Sequence, residues 1–430
     1  MAGRAVSIVD EKRNTACNAL GEAAWGFGWG LGTPLTVLPL LVQRLGGSQV
    51  EIGLIAAIAA GGTLVPQIFS SLFLQRGVGR KWFLIIYHWA VMLPPWLGIA
   101  AVVFFLGSAN APAARGLLLL LFSVFMITVG FILPAWQDWV ADLFRPGIRG
   151  RAYAWSNLAT ALGGSCAALV AGGIAAAIAF PANYAVLFVA GTCMFALSMA
   201  FFIPIREPVS AGHSPALSHG DVFRRFALSL MDRNFRSYLV SRLLITAGSG
   251  PIAFFAIRYK SASGGGLSTE MVIALGAALT AGQAVAGFAM GHLGDRVGHK
   301  AGAVLGAAAQ VAALAVALLV PGAWSCAAAF ALVGAGFASA WVSHQNFLFE
   351  TCPHDCRMAH ITVSNLVLAP FTVVVPVATG HLIAVYGIMP ALGLCLIPSV
   401  IGLLWLLVMV RDPRTVNVGR TLGSPLMPNP

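Results

Sequence analysis

Two stretches of this chain, 208 residues apart, align without a gap: Trp136-Gln-Asp-Trp-Val-Ala-Asp-Leu-Phe-Arg-Pro-Gly-Ile-Arg-Gly-Arg151 and His344-Gln-Asn-Phe-Leu-Phe-Glu-Thr-Cys-Pro-His-Asp-Cys-Arg-Met-Ala359. Gln137 pairs with Gln345, Asp142 with Glu350, Arg149 with Arg357, and Ser156-Asn157-Leu158 with Ser364-Asn365-Leu366. A second pair lies 219 residues apart, Arg76-Gly-Val-Gly-Arg-Lys81 and Asp295-Arg-Val-Gly-His-Lys300. Internal repetition on this scale marks a chain built from two related halves.

Working outward from the repeat, the surrounding sequence is apolar. Hydrophobic residues make up 59% and charged residues 9% of the 430 positions, whereas a soluble domain carries about 25% charge. This excludes a soluble enzyme. A bilayer core takes roughly 20 helical residues to cross, and the apolar runs predict twelve spans at 16–44, 48–75, 80–107, 113–145, 150–180, 184–205, 234–260, 268–294, 298–321, 323–351, 357–386 and 388–410. The runs are continuous rather than alternating, which excludes a β-barrel. The expected organisation is a six-helix bundle over 1–205, a polar linker over 206–233 with Pro208, Gly212, Pro215 and Gly220, and a second six-helix bundle over 234–430. An even number of spans per half makes the halves parallel repeats about an axis along the membrane normal.

The net charge of +11 is scattered singly between apolar runs, so it does not point to nucleic acid. Twenty Lys and Arg residues fall in loops on one side, and only Arg44, Arg115, Arg258 and Lys260 fall on the other. By the positive-inside rule both termini and the linker are expected in the cytoplasm, in a bacterial-type inner membrane. The sequence contains no phosphate-cradling GxxxxGK[ST] run, and its loops present no catalytic constellation. Neither an enzyme nor a cofactor is expected, and energy would come from a gradient.

The segment Gly291-His-Leu-Gly-Asp295-Arg296-Val-Gly298-His-Lys300, with the twelve spans, the half-repeat and the central linker, resembles the major facilitator superfamily of secondary transporters. The first-half copy departs from that signature, with Arg76 at the aspartate position and Gly77 at the arginine position. The resemblance implies alternating access by two six-helix bundles around a central cavity lined by the first, fourth, seventh and tenth spans, working as a monomer on a small solute with protons as coupling partner.

Ionisable residues inside spans are costly and so are functional candidates. They are Glu22, His88, Asp138, Arg242 and His344, and four of the five fall on the cavity spans. One polar layer at the inner mouth is expected, with Glu22 or Asp138 carrying a proton and Arg242 holding an anionic solute group or competing for the carboxylate. The competing reading is a static salt-bridge set closing the gate. Gln345 is a further polar candidate. Trp25, Phe27, Trp29, Trp136, Trp139 and Trp341 either line the cavity or serve as packing and interfacial residues. Asp142 with Arg149 and Arg151, and Glu350 with Arg357, joined by Asp295, Arg296 and Lys300, form two expected gate clasps. Cys352, His354, Cys356 and His360 are weak metal candidates whose spacing departs from zinc patterns. An alternative of another class is a transporter-like scaffold that assembles membrane complexes and moves nothing.

Overall fold

The computed structural model describes residues 8–73, 80–207, 230–351 and 357–412. Among these, regular structure is entirely helical: α1 (Ile8–Leu31), α2 (Val37–Arg44), α3 (Gln49–Phe73), α4 (Arg80–Leu106), α5 (Ala111–Asp142), α6 (Pro146–Ala177) and α7 (Ala182–Phe202) in the first half. The second half holds α8 (Arg233–Ala247), α9 (Phe255–Lys260), α10 (Thr269–Leu275), α11 (Ala277–Val297), α12 (His299–Leu319), α13 (Ala323–Thr351), α14 (Arg357–Tyr386) and α15 (Ile388–Val408). Residues 208–229, most of the expected linker, lie outside the described residues.

Eleven stretches among the described residues are long and apolar enough to cross a membrane. The remaining predicted span, 16–44, is the pair α1 and α2. α1 carries Asp10, Glu11, Lys12, Arg13 and Glu22, and Pro34 has no amide hydrogen with which to continue it. The chain therefore turns after Leu31 and resumes as α2, whose Val37 to Val42 are buried. The seventh predicted span is likewise discontinuous. α8 ends at Gly248-Ser-Gly-Pro251, passes through a short 3₁₀ turn and continues as α9. In α4, a π turn over His88–Met92 precedes Pro94 and Pro95, and His88 is buried there.

Helices in lipid gain little from the hydrophobic effect and associate by close backbone approach at small residues. Gly26 on α1 and Gly163 on α6 show this directly: a methyl group on the first would strike the backbone of Thr160, and one on the second the backbone of Ala23. Gly282 on α11 and Gly334 on α13 make the corresponding contact in the second half, against the backbones of Ala331 and Leu279.

The two halves meet in the same way. Gly53 of α3 lies on the backbone of Pro376 in α14, and Gly380 of α14 on that of Gln49. Gly172 of α6 abuts Ala274 and the Glu270 carbonyl, and Ser165 Oγ lies 2.7 Å from Thr280 Oγ1. These contacts lie toward the ends of α6 and α14 farthest from the chain termini, here called the distal side. On the terminal side of α6 and α11, a methyl group at Gly150 or Gly291 would meet nothing within 4 Å. The halves are joined distally by backbone contact.

Candidate functional site

The crossing of α1 and α6 at glycines places the Glu22 carboxylate beside α6. Thr160 Oγ1 lies 3.3 Å from Glu22 Oε2, and Trp136 of α5 donates a hydrogen bond to the same carboxylate. About one turn nearer the terminal side, Asn18 Nδ2 donates to Ser156 Oγ at 2.5 Å. Among the described residues no cation lies within ion-pair distance of Glu22. Its partners are neutral donors.

Asp138 is held differently. Arg80, the first residue of α4, places Nη1 2.8 Å from Asp138 Oδ2 and Nη2 2.5 Å from Asp142 Oδ2. One planar guanidinium bridges two carboxylates a helical turn apart, a geometry suited to arginine and not to lysine. This corrects the expected clasp: Asp142 pairs with Arg80, while Arg149 Nη2 donates to the Phe144 carbonyl at 3.4 Å and Arg151 is exposed. Arg149, Glu22, Asp138 and Asp142 all act electrostatically on the Tyr153 hydroxyl, so the first-half charges form one neighbourhood.

In the second half, Tyr238 of α8 is buried with its hydroxyl 2.8 Å from His344 Nδ1 on α13, and its ring stacks on Phe347 with centroids 4.6 Å apart. Arg242, one turn along the same face of α8, is half-buried and acts electrostatically on both Tyr238 and His344. No hydrogen bond or ion pair among the described residues joins Arg242 or His344 to Glu22 or Asp138. These residues are therefore held in two separate sets, one on each half. The Gln345 side chain lies outside the described residues.

The aromatic candidates divide as well. Trp25 packs on His88 and Phe195, Trp29 stacks with Trp96 and Phe125, and Trp136 meets His88, Trp139 and Phe202. These ring faces are committed within the first half, though each tryptophan stays half-exposed, and Trp139 is buried with its indole donating to Glu207 at 2.7 Å. Trp341 is exposed.

On the terminal side of the second half, His299, the first residue of α12, places Nε2 3.9 Å from Glu350 Oε1. Lys300 donates to the Leu407 carbonyl at 3.0 Å, and Arg296 is exposed. The side chains of Asp295, Arg357 and His360 and all of Cys352, His354 and Cys356 lie outside the described residues. Among the described residues no cluster of three metal-ligating side chains occurs.

Arg80, Thr160, Tyr238 and His299 were missed by reading for charge inside spans. Two of them had a signal: Arg80 and His299 are matching positions of the 219-residue repeat, as Asp142 and Glu350 are of the 208-residue repeat. Tyr238 had only its i, i+4 spacing to Arg242.

Among solved structures, the chain resembles a variant of the nucleoside transporter NupG, at TM-score 0.69 and 13% identity over 94% of this chain and 100% of that one. It also resembles a D-xylose-proton symporter, at TM-score 0.67 and 16% identity over 95% and 99%. The xylose transporter XylE from E. coli in a partially occluded inward open conformation matches at 0.64 and 14% over 97% and 100%. At such identities the likeness is one of fold. A search of curated protein sequences finds no match. The family model described as Major Facilitator Superfamily matches residues 20–263 and 260–428, so with its helical halves and membrane-spanning stretches the chain belongs to the major facilitator superfamily of membrane transporters.

Proposed function

We propose that the chain is a secondary transporter that carries a small solute across a bacterial-type inner membrane by alternating access, with both termini cytoplasmic, as a monomer coupled to protons through Glu22. The observation that carries the reading is the set of glycine backbone contacts that joins the two halves on the distal side, while Gly150 and Gly291 on the terminal side of α6 and α11 stand open. Such contacts are made and lost by rigid-body rocking without rearranging either bundle. Glu22 suits a proton carrier better than Asp138. Protonating Glu22 breaks no ion pair, whereas protonating Asp138 would release one arm of Arg80.

The test is uptake by purified protein in liposomes under an imposed pH gradient, beside solute exchange with no gradient. Glu22→Gln should lower gradient-driven uptake by roughly tenfold or more, since a site that cannot release a proton loses its coupling, while exchange stays within about threefold. Gradient-driven uptake by Glu22→Gln at the unsubstituted rate would remove the coupling role. A folded protein that carries no solute of any class would favour the assembly scaffold.

A further inference from the structure

Arg242 lies nine residues beyond Arg233, the start of α8, or about 14 Å along the helix axis. It is half-buried, on the face of α8 shared with buried Tyr238 and away from exposed Val240. Among the described residues no carboxylate lies within ion-pair distance of its guanidinium, and none of its nitrogens makes a hydrogen bond there. A permanent cation inside a span is costly unless water or an anion meets it. Beside it, the Tyr238 hydroxyl fixes His344 through Nδ1, and His344 Nε2 takes no hydrogen bond among the described residues. When the tyrosine donates to Nδ1, the neutral imidazole carries its proton on Nε2 and becomes a second donor beside the guanidinium.

We propose that Arg242 and His344 form the solute's anion anchor, and that the solute is a small organic monoanion such as a carboxylate. A guanidinium with a neighbouring N–H donor matches the two oxygens of a carboxylate. The single permanent cation sets the charge at one, because a dianion would bring an uncompensated negative charge into a low-dielectric cavity. The anchor rests on the transport reading above and adds charge logic to it. With the site empty, Glu22 as carboxylate on one half and Arg242 as cation on the other balance in charge. With the site loaded, the anion balances Arg242 and a proton neutralises Glu22. Both forms present no net charge from these groups when the bundles rock, and one proton accompanies one anion.

The experiment uses the full-length purified protein with benzoate and lactate as monoanions, benzamide and lactamide as their neutral isosteres, and succinate as a dianion. Binding is read as a ligand-dependent rise in melting temperature and transport as exchange in liposomes. At least one monoanion should bind while its amide and succinate bind roughly tenfold or more weakly, as loss of a desolvated charge-assisted pair implies. Arg242→Gln should abolish that preference, Arg242→Lys should keep part of it, and the melting temperature of each unliganded variant separates lost binding from lost folding. An amide bound as tightly as its carboxylate, a preference unchanged in Arg242→Gln, or no binding by either monoanion overturns the anchor. Exchange of a neutral solute alone overturns the anchor but leaves the transport reading standing.

Discussion

The two halves brace their terminal side on one frame and fasten it with different chemistry. In each, an asparagine near the start of the bundle grips both polar atoms of the residue that follows the bundle's last helix. Asn14 Nδ2 donates to Arg206 O at 2.9 Å and Asn14 Oδ1 accepts from Arg206 N at 3.1 Å, and Asn234 makes the same pair with Arg411 at 3.0 and 2.8 Å. Lys81 donates to the carbonyls of Ile203 and Ile205 and Lys300 to that of Leu407, each meeting unsatisfied groups at a helix C-terminus. On this shared frame, Arg80 fastens Asp138 and Asp142 at 2.8 and 2.5 Å, while His299 stands 3.9 Å from Glu350 and is charged only when protonated. The repeat kept the positions of the clasp and changed its chemistry: a permanent charge in the first half, an imidazole in the second. Each clasp lies within one bundle, so rigid-body rocking leaves both of them closed.

The largest expected effect tests the clamp. Arg80→Ala leaves two carboxylates of partial burial without their cation, at about 2–4 kcal/mol by analogy with broken ion pairs and allowing for solvent screening. His299→Ala should cost less than half of that. Tryptophan-fluorescence melting of both variants in one detergent gives the order, and equal losses would end the comparison.

A smaller and more telling change is His299→Arg, which gives the second half the permanent cation of the first. The variant should be more stable by about 0.5–1.5 kcal/mol, as for a charge pair at partial exposure, and melt at a higher temperature, while solute exchange keeps its rate because the clasp lies within one bundle. A variant that is more stable and exchanges solute more slowly would show that this clasp opens during transport.

The sequence carried the positions of these features better than their partners. Asp142 and Glu350 stood out because the 208-residue repeat aligns them without a gap, and the halves follow from the same alignment. The partner of Asp142 was not legible, because Arg80, Arg149 and Arg151 all lie at terminal-side helix starts nearby and only the crossing of α4 with α5 selects Arg80. Glu22 was visible as a carboxylate in a span, but its neighbour Thr160 follows from Gly26 and Gly163, whose role is set by which helices touch. The polar layer has the same limit. Residues counted from helix ends share a depth, yet depth says nothing of which half a side chain turns toward. The asparagine grips had a signal that charge counting overlooks, since Ile205-Arg-Glu-Pro208 and Val410-Arg-Asp-Pro413 repeat 205 residues apart.

Those grips supply the smallest and most discriminating test, because there the two halves make the same hydrogen bonds in different surroundings. Asn14 is buried, with Nδ2 and Oδ1 both spent on Arg206, and Asn234 is half-buried. Removing the amide leaves the Arg206 backbone N–H and carbonyl partly shielded from water, whereas the Arg411 pair turns to solvent for replacements. Asn14→Ala should therefore cost about 1–2 kcal/mol and Asn234→Ala about 0.5–1 kcal/mol, the net worth of such bonds being governed by whether water can take their place. Urea unfolding in one detergent measures both. Equal costs would mean that burial does not separate the frames and that the contrast between the halves rests on Arg80 and His299 alone.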